Sequence, residues 1–139
     1  MTDVLSKENL IAKLSSGCKV KEDWRIGTEH EKFGFKKKDL RPITFDDIQK
    51  IFSELCSKYK WEKIIENKKI IGLKKDATSI TLEPGGQIEL SGAPVKNLFE
   101  TCKEVNLHQD ELNAVCRNYD IEFMGIGVLP KWKLTDLKL

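Results

Sequence analysis

The feature that most restricts the fold is a pair of short alternating segments joined by Pro84-Gly85-Gly86. Residues 79–83 and 87–91 place apolar and polar side chains on opposite sides, which is the period of a half-buried β-strand. Proline followed by glycine suits the two central positions of a type II turn. The two segments are therefore predicted to pair antiparallel, although the glycines would also fit a bulge within one bent strand.

A second hairpin is predicted upstream, where residues 61–65 and 69–73 flank Glu66-Asn67-Lys68. Capping residues or proline, followed by apolar residues at helical spacing, predict three helices. These helices are expected at residues 6–17, 44–59 and 94–119, with further strands at residues 24–35 and 121–128. Ser6 and Thr44 are the expected caps of the first two helices. The second helix is expected to bury Ile48, Ile51, Phe52 and Leu55, and the apolar side of the third is expected to consist of Leu98, Cys102, Val105, Leu112, Val115 and Cys116. Hairpins interleaved with helices favour an α+β fold with an antiparallel sheet over a doubly wound parallel sheet.

Composition indicates a globular domain, because 40% of the 139 residues are hydrophobic and 33% are charged. The net charge of +2 is too small to indicate binding to nucleic acid. No apolar run approaches the roughly 20 residues of a membrane helix, so no membrane association is expected. The N-terminus lacks the pattern of a secretory signal, which predicts a cytosolic protein. Because the cytosol is reducing, the four cysteines of the chain are expected to be free thiols.

Two carboxylates stand out in the first predicted strand. Glu29 and Glu31 lie two residues apart, so their side chains point to the same face, about 7 Å apart at the backbone. Neighbouring carboxylates repel each other unless a positive charge lies between them, and a divalent metal ion would supply that charge. The alternative is an exposed edge strand with two solvated glutamates. Phe33 and Phe35 continue the same face and favour the floor of a cleft, with His30 packed behind.

The hairpin around Pro84 carries three more candidate residues. If its arms pair, Ile88 and Leu90 lie on one face, and Glu83, Gln87 and Glu89 share the other. Two acidic groups and an amide would then gather on one surface, unless the hairpin is simply solvated on that side. The second histidine, His108, lies on the third helix and is predicted to be a polar surface residue.

The chain resembles glutamate–cysteine ligases of the plant and proteobacterial type. One motif is Arg25-Ile26-Gly27-Thr28-Glu29-His30-Glu31-Lys32-Phe33-Gly34-Phe35. The stronger motif is Ser79-Ile80-Thr81-Leu82-Glu83-Pro84-Gly85-Gly86-Gln87-Ile88-Glu89-Leu90-Ser91-Gly92-Ala93-Pro94. The resemblance ends with Gly125-Ile126-Gly127 and then Pro130-Lys131-Trp132. It therefore covers nearly all of the chain from about Asp23 onward.

The resemblance implies a reaction and a site. Members of this family use ATP to phosphorylate the γ-carboxylate of glutamate, and the amine of cysteine then displaces phosphate. Their fold is similar to the antiparallel sheet of glutamine synthetase, with carboxylates on its concave face. By this resemblance, Glu29, Glu31, Glu83 and Glu89 are expected to bind Mg²⁺. The same four residues, with Gln87 as a weaker candidate, are expected to contact ATP.

Family members are considerably longer chains, and the Pro-Lys-Gly-Arg-Tyr segment that usually follows Pro130-Lys131-Trp132 is absent here. Residues 1–139 are therefore expected to be the N-terminal part of a single ligase domain, inactive alone. One alternative is a related carboxylate–amine ligase with another amine substrate. Another is a non-catalytic ligase-like fragment that binds a full-length partner. The sequence leaves the oligomeric state open.

Overall fold

Six strands form one sheet in which every neighbouring pair runs antiparallel. The computed structural model describes residues 5–129 and 132–133. The strands are β1 (Glu29–Lys36), β2 (Glu62–Glu66), β3 (Lys69–Lys75), β4 (Thr78–Leu82), β5 (Gln87–Ser91) and β6 (Ile121–Met124). Their order across the sheet is β2-β3-β4-β5-β1-β6. The α+β prediction is confirmed.

Three α-helices accompany the sheet, namely α1 (Lys7–Ser15), α2 (Phe45–Tyr59) and α3 (Leu98–Cys116). Helices α2 and α3 pack against each other, and α2 also packs on β2 and β3 while α3 reaches β6. The predicted caps Ser6 and Thr44 are confirmed, since the side chains of both accept from backbone N–H groups, and both helices begin with a capping box although one was predicted only for α2. Helix α1 has no buried residue, so its apolar side contributes nothing to the core.

Both predicted hairpins are present. Asn67 and Lys68 have φ angles of 48° and 65°, and two successive positive φ values suit the tight turn between β2 and β3. In the β4–β5 hairpin, the Gly86 N–H donates to the Glu83 carbonyl at 3.1 Å, and Gly85 has a φ of 87°. That positive φ at the second central position is what a type II turn requires. The chain therefore reverses here and does not bulge.

The predicted start of the third helix is wrong. Helix α3 begins at Leu98 with Asn97 as its cap, not at Pro94. The residues around Pro94 are extended because Val95 pairs with Ile26 in an isolated bridge. The predicted strands at residues 24–35 and 121–128 are also too long. Regular pairing begins only at Glu29 in β1 and ends at Met124 in β6.

The core lies between the sheet and the pair α2 and α3. The predicted α2 stripe is fully confirmed, since Ile48, Ile51, Phe52 and Leu55 are all buried. Apolar residues from the covered face of the sheet complete the core. The largest of these are Leu73, Ile80, Ile88, Leu90 and Ile121. The opposite face of the sheet is left open by the helices, and it carries the predicted carboxylates.

Candidate functional site

The candidate site is the open face of the sheet at β4, β5 and β1. In β5, Ile88 and Leu90 are 1% exposed beneath the helices, so the alternate residues Gln87, Glu89 and Ser91 face the other way. Paired residues in adjacent strands share a face, and β1 therefore places Glu29 and Glu31 beside them. The same-face placement predicted for both segments is confirmed.

Strand register brings two of these carboxylates into direct opposition. Glu31 of β1 lies directly across from Glu89 of β5, and Glu29 lies across from Ser91. On the other side of Glu89 is Thr81 of β4. Side chains in such directly opposed positions have Cβ atoms about 5 Å apart, and like charges there are destabilising. Glu31 and Glu89 thus form the most closely opposed acidic pair of the site.

Three of the four carboxylates accept hydrogen bonds from neutral side chains. Gln87 Nε2 donates to Glu31 Oε2 at 2.6 Å, which joins β5 to β1 through side chains. Thr81 Oγ1 donates to Glu83 Oε1 at 2.8 Å. Ser91 Oγ donates to Glu89 Oε1, also at 2.8 Å. These bonds orient the carboxylates without neutralising them, and each carboxylate keeps further lone pairs for a cation.

No ion pair joins these four carboxylates to a lysine or arginine within the described residues. Glu29 and Glu31 are exposed, while Glu83, Gln87 and Glu89 are half-buried. The result is a surface of concentrated negative charge, partly shielded from water. A multivalent cation is the simplest group that would balance it.

The aromatic side chains of β1 close one end of this surface. Phe33 and Phe35 follow Glu31 on the open face, and Trp132 packs over both with ring centroids 6.0 Å and 5.8 Å away. Phe33 is 6% exposed as a result. The carboxylates therefore run into an apolar wall, as expected for the floor of a cleft. Pro130 and Lys131, which belong to the same predicted motif, lie outside the described residues.

The carboxylates of the open face suit Mg²⁺ better than Zn²⁺ or Ca²⁺. In the part of the chain described here, no three acidic, imidazole or thiol groups lie close enough to enclose a metal ion together. A closed protein cage for zinc or calcium therefore does not fit. Mg²⁺ does fit, because it binds through one or two carboxylates and completes its shell with water and phosphate oxygens. That Glu29, Glu31, Glu83 and Glu89 bind Mg²⁺ stays a prediction.

The two histidines lie on the helix-covered side. His30 pairs with Leu90 and faces away from Glu29 and Glu31, as expected. Burial, and secondarily the charge of Lys32, lower its pKa. His108 was predicted to be a polar surface residue, and this is wrong, since it is 3% exposed. It lies beneath α3 against the sheet because the buried face of that helix is rotated from the predicted one.

That rotation explains a polar cluster missed by sequence reasoning. Leu112, Val115 and Cys116 are buried as predicted, but Leu98 and Cys102, predicted on the same side of α3, are exposed. Glu111, which was not predicted there, is buried. Glu111 accepts from Trp61 Nε1 at 2.7 Å and forms an ion pair with Lys75 at 3.2 Å. No local pattern marks Glu111, because its partners are Lys75 in β3 and Trp61, the residue just before β2.

The chain is similar to one protein family and to several named plant proteins. The pattern of the family described as Glutamate-cysteine ligase family 2 (GCS2) matches residues 25–139. The chain is 54% identical over its full length to a protein of Oryza sativa subsp. japonica named glutamate–cysteine ligase A, chloroplastic. It is 51% identical over 99% of its length to an Arabidopsis thaliana protein named glutamate–cysteine ligase, chloroplastic. The chain spans only 28% and 26% of these two relatives.

The names of these relatives overturn the predicted location. That prediction rested on the lack of a secretory signal, which does not separate the cytosol from a plastid. The similar rice, Brassica juncea and Arabidopsis proteins are all named chloroplastic, so the cytosolic prediction is wrong. The expected free thiols are nevertheless found at Cys18, Cys56, Cys102 and Cys116. Within the described residues, no helix has the length and hydropathy to cross a bilayer.

Proposed function

Because this chain belongs to Glutamate-cysteine ligase family 2, we propose that it supplies the metal–nucleotide face of an ATP-dependent ligase. The whole enzyme joins the γ-carboxylate of glutamate to the amine of cysteine. The observation that carries the proposal is the open sheet face, where Glu31 directly opposes Glu89 and Glu29 and Glu83 flank them. The names of the relatives support the same substrates and a plastid location for the whole protein.

The carboxylates of this face would hold Mg²⁺, which when bound neutralises the phosphate oxygens of ATP and the charge that develops as the phosphoryl group moves. The chain's own contribution is to fix the carboxylates before the ligand arrives. Gln87 orients Glu31, and Ser91 orients Glu89. A preorganised site of this kind loses little energy to reorganisation during the reaction.

The second contribution of this chain is to exclude water from one side of the proposed site. Trp132, packed over Phe33 and Phe35, borders the carboxylates on the β1 side. The activated glutamate of the proposed reaction is an acyl phosphate, which water can also attack. An apolar wall beside the site therefore favours attack by the amine over hydrolysis.

We also propose that the sheet is similar to that of glutamine synthetase. The proposal is supported by the antiparallel pairing of the strands and by the carboxylates on the open face of the sheet.

The test is a chimera in which this chain replaces the matching 28% of the rice relative. We expect the chimera to form γ-glutamylcysteine from glutamate and cysteine with consumption of ATP. Glu31→Gln and Glu89→Gln should each lower the rate about 100-fold or more, because each removes a charge from the proposed metal site. Glu62→Gln is the matched control, since Glu62 lies on the same sheet face but pairs with Lys74 near the far edge.

Two outcomes would contradict the proposal. In the first, the chimera folds but makes no dipeptide while the rice protein does so under the same conditions. In the second, Glu31→Gln and Glu89→Gln retain the activity of the Glu62→Gln control. Omission of ATP or Mg²⁺ should abolish the reaction in every active form. Replacing cysteine by other amines distinguishes the proposed substrate from that of a related ligase.

A further inference from the structure

Glu104 of α3 holds the two open ends of the β4–β5 hairpin from the covered side of the sheet. Its Oε1 accepts from Thr78 Oγ1 at 3.0 Å and from the Ala93 N–H at 2.8 Å. Thr78 is the first residue of β4, and Ala93 lies two residues beyond the end of β5. One carboxylate oxygen therefore joins the strand ends that lie farthest from the Pro84-Gly85-Gly86 turn.

The other oxygen of Glu104 lies against the backbone of Gly92. A side chain at position 92 would place its Cβ atom 2.2 Å from Glu104 Oε2, which is a steric clash, so only glycine fits here. The Gly92 N–H donates to the Thr28 carbonyl at 2.7 Å. This bond lies just beyond Glu29 and Ser91, the last residue pair of the β1–β5 ladder. Glu104 therefore packs on the hydrogen bond that ends the pairing of β5 with β1.

Glu104 makes these contacts through hydrogen bonds and packing, and not through an ion pair. None of the ion pairs among the described residues involves it. The ammonium of Lys32 is buried on the same side of the sheet, where burial lowers its pKa, and it donates to the His30 carbonyl at 3.4 Å. Lys75 pairs with Glu111 instead. Since Glu104 Oε2 also accepts no hydrogen bond from the described residues, an uncharged amide of the same shape should preserve the contacts.

The carboxylates on the other face of the sheet depend on how closely β1 and β5 are held together. Glu31 and Glu89 are directly opposed on these strands, and their repulsion pushes the strands apart. The hydrogen bond from Gln87 to Glu31 resists this separation near the start of β5. At the other end of β5, the bond from Gly92, with Glu104 packed on it, lies where it can do the same. Without that packing, the strand ends should open more readily.

We propose that Glu104 is a positioning residue of the metal–nucleotide face, which fixes the spacing of Glu29, Glu31 and Glu89 across β1 and β5. It lies on the opposite side of the sheet from these carboxylates, so it acts through the strands and not on the ligand. Carboxylates that are held in place before the ligand arrives bind it more tightly than carboxylates that must first be ordered. This inference rests on the proposed function, because it assigns Glu104 a role in the same site.

The experiment titrates the 139-residue chain and its variants with Mn²⁺ and ATP by calorimetry, and follows amide hydrogen exchange by NMR. Glu104→Leu keeps an apolar side chain of similar size but removes the acceptor. It should weaken binding of Mn²⁺ with ATP about tenfold or more, and speed up exchange at Gly92 and Ala93. Glu104→Gln should restore the affinity to within about threefold of the parent chain, because its amide oxygen still accepts from Thr78 and Ala93.

Glu111→Leu is the matched control. Glu111 is a buried glutamate of the same helix, but its partners are Trp61 and Lys75, which lie towards the β2 edge of the sheet. This variant should lower the free energy of unfolding, since it breaks two buried contacts. Its affinity for Mn²⁺ with ATP should nevertheless stay within about twofold of the parent chain. A merely structural role for Glu104 predicts instead that the two leucine variants bind equally well.

Gly92→Ala disturbs the same contact from the backbone side and decides the matter if Glu104→Leu does not fold. It should weaken binding of Mn²⁺ with ATP as Glu104→Leu does. The positioning role is wrong if the parent chain binds and Glu104→Leu or Gly92→Ala binds as tightly as Glu111→Leu. It is also wrong if Glu104→Gln binds no better than Glu104→Leu. Absence of binding by the parent chain would instead overturn the proposed function, and the role of Glu104 with it.

Discussion

At the residue scale, the cross-strand pair of Glu31 and Glu89 works against stability. Like charges in directly opposed strand positions repel, and no cation of the described residues compensates for them. Such an arrangement is costly in a surface strand and useful in a site that must attract a cation. Stability and ligand binding should therefore respond in opposite directions when one of the two charges is removed.

Glu89→Gln is accordingly expected to raise the free energy of unfolding in metal-free buffer. The gain should be about 0.2–1 kcal/mol, the size of a cross-strand charge pair. The amide oxygen of the new side chain can still accept from Ser91, so that hydrogen bond survives. Urea denaturation measures the change. Glu62→Gln, which instead breaks the ion pair with Lys74 on the same face, should bring no gain. A destabilised Glu89→Gln protein would refute the repulsion between the pair.

His108 gives the protein a pH dependence that can be derived with its sign. Its pKa in the folded chain is about 3, below the ordinary 6.5, mainly because of burial. Between these two pH values His108 is protonated in the unfolded chain but not in the folded chain. The free energy of unfolding therefore falls as the pH drops from about 6.5 towards 3. At pH 5 the loss is about 2 kcal/mol, from about 1.4 kcal/mol per pH unit.

Unfolding free energies at pH 7 and pH 5 test this expectation. His108→Leu should flatten the difference, since it removes the group that must be deprotonated. His30 also has a lowered pKa, mainly through burial, and Lys32 lies near both rings. His30→Asn is therefore the control and should keep most of the pH dependence. If His108→Leu shows the same loss as the parent chain, the buried neutral imidazole is not its cause.

At the element scale, prediction from sequence succeeded where the signal is local. Helix α2 has a capping residue at Thr44, apolar residues at helical spacing and one buried face, and all three agree with the structure. The β4–β5 hairpin is fixed by alternation around Pro84 and two glycines. For helix α3, the predicted start is wrong, and the predicted apolar side is confirmed at Leu112, Val115 and Cys116 but wrong at Leu98 and Cys102. Pro94 fits an extended segment as well as a helix start, and distant partners decide which face is buried.

The start of α2 offers a direct test of a local element. Asp47 accepts from the Thr44 N–H at 3.0 Å and from Lys36 Nζ at 2.8 Å, which anchors the helix to β1. Asp47→Ala should lower the free energy of unfolding by about 1–2 kcal/mol, because it removes half of the capping box and a half-buried ion pair. Chemical denaturation measures the loss. The adjacent exposed Asp46 is the control, and equal losses for Asp46→Ala and Asp47→Ala would contradict this account.

At the scale of the whole molecule, the site depends on pairing between distant segments. The two-residue period predicts that Glu29 and Glu31 share a face, and likewise Glu83, Gln87 and Glu89. It does not predict that β1 lies beside β5, because that register joins residues 58 positions apart, as in Glu31 and Glu89. Only the folded sheet shows that the two acidic motifs form one surface.

The 139-residue chain alone is expected to form no γ-glutamylcysteine from glutamate, cysteine and ATP. It spans 28% of the rice relative, so most of the residues of that protein are not part of it. Product detection by mass spectrometry, with the rice protein as the positive control, measures this directly. Dipeptide formed above the background without protein would show that the site is complete within this chain.

We propose above all that a divalent cation with a nucleotide phosphate binds on the open face of the sheet, at β4, β5 and β1. Titration of the ¹⁵N-labelled chain with Mn²⁺ and ATP tests it, because Mn²⁺ replaces Mg²⁺ and broadens nearby amide signals. The signals of Glu31 and Glu89 should broaden first, and those of α2 last. Glu89→Gln should reduce the effect and Glu62→Gln should not. Broadening that is uniform, or that begins at the helices, would contradict the proposed site.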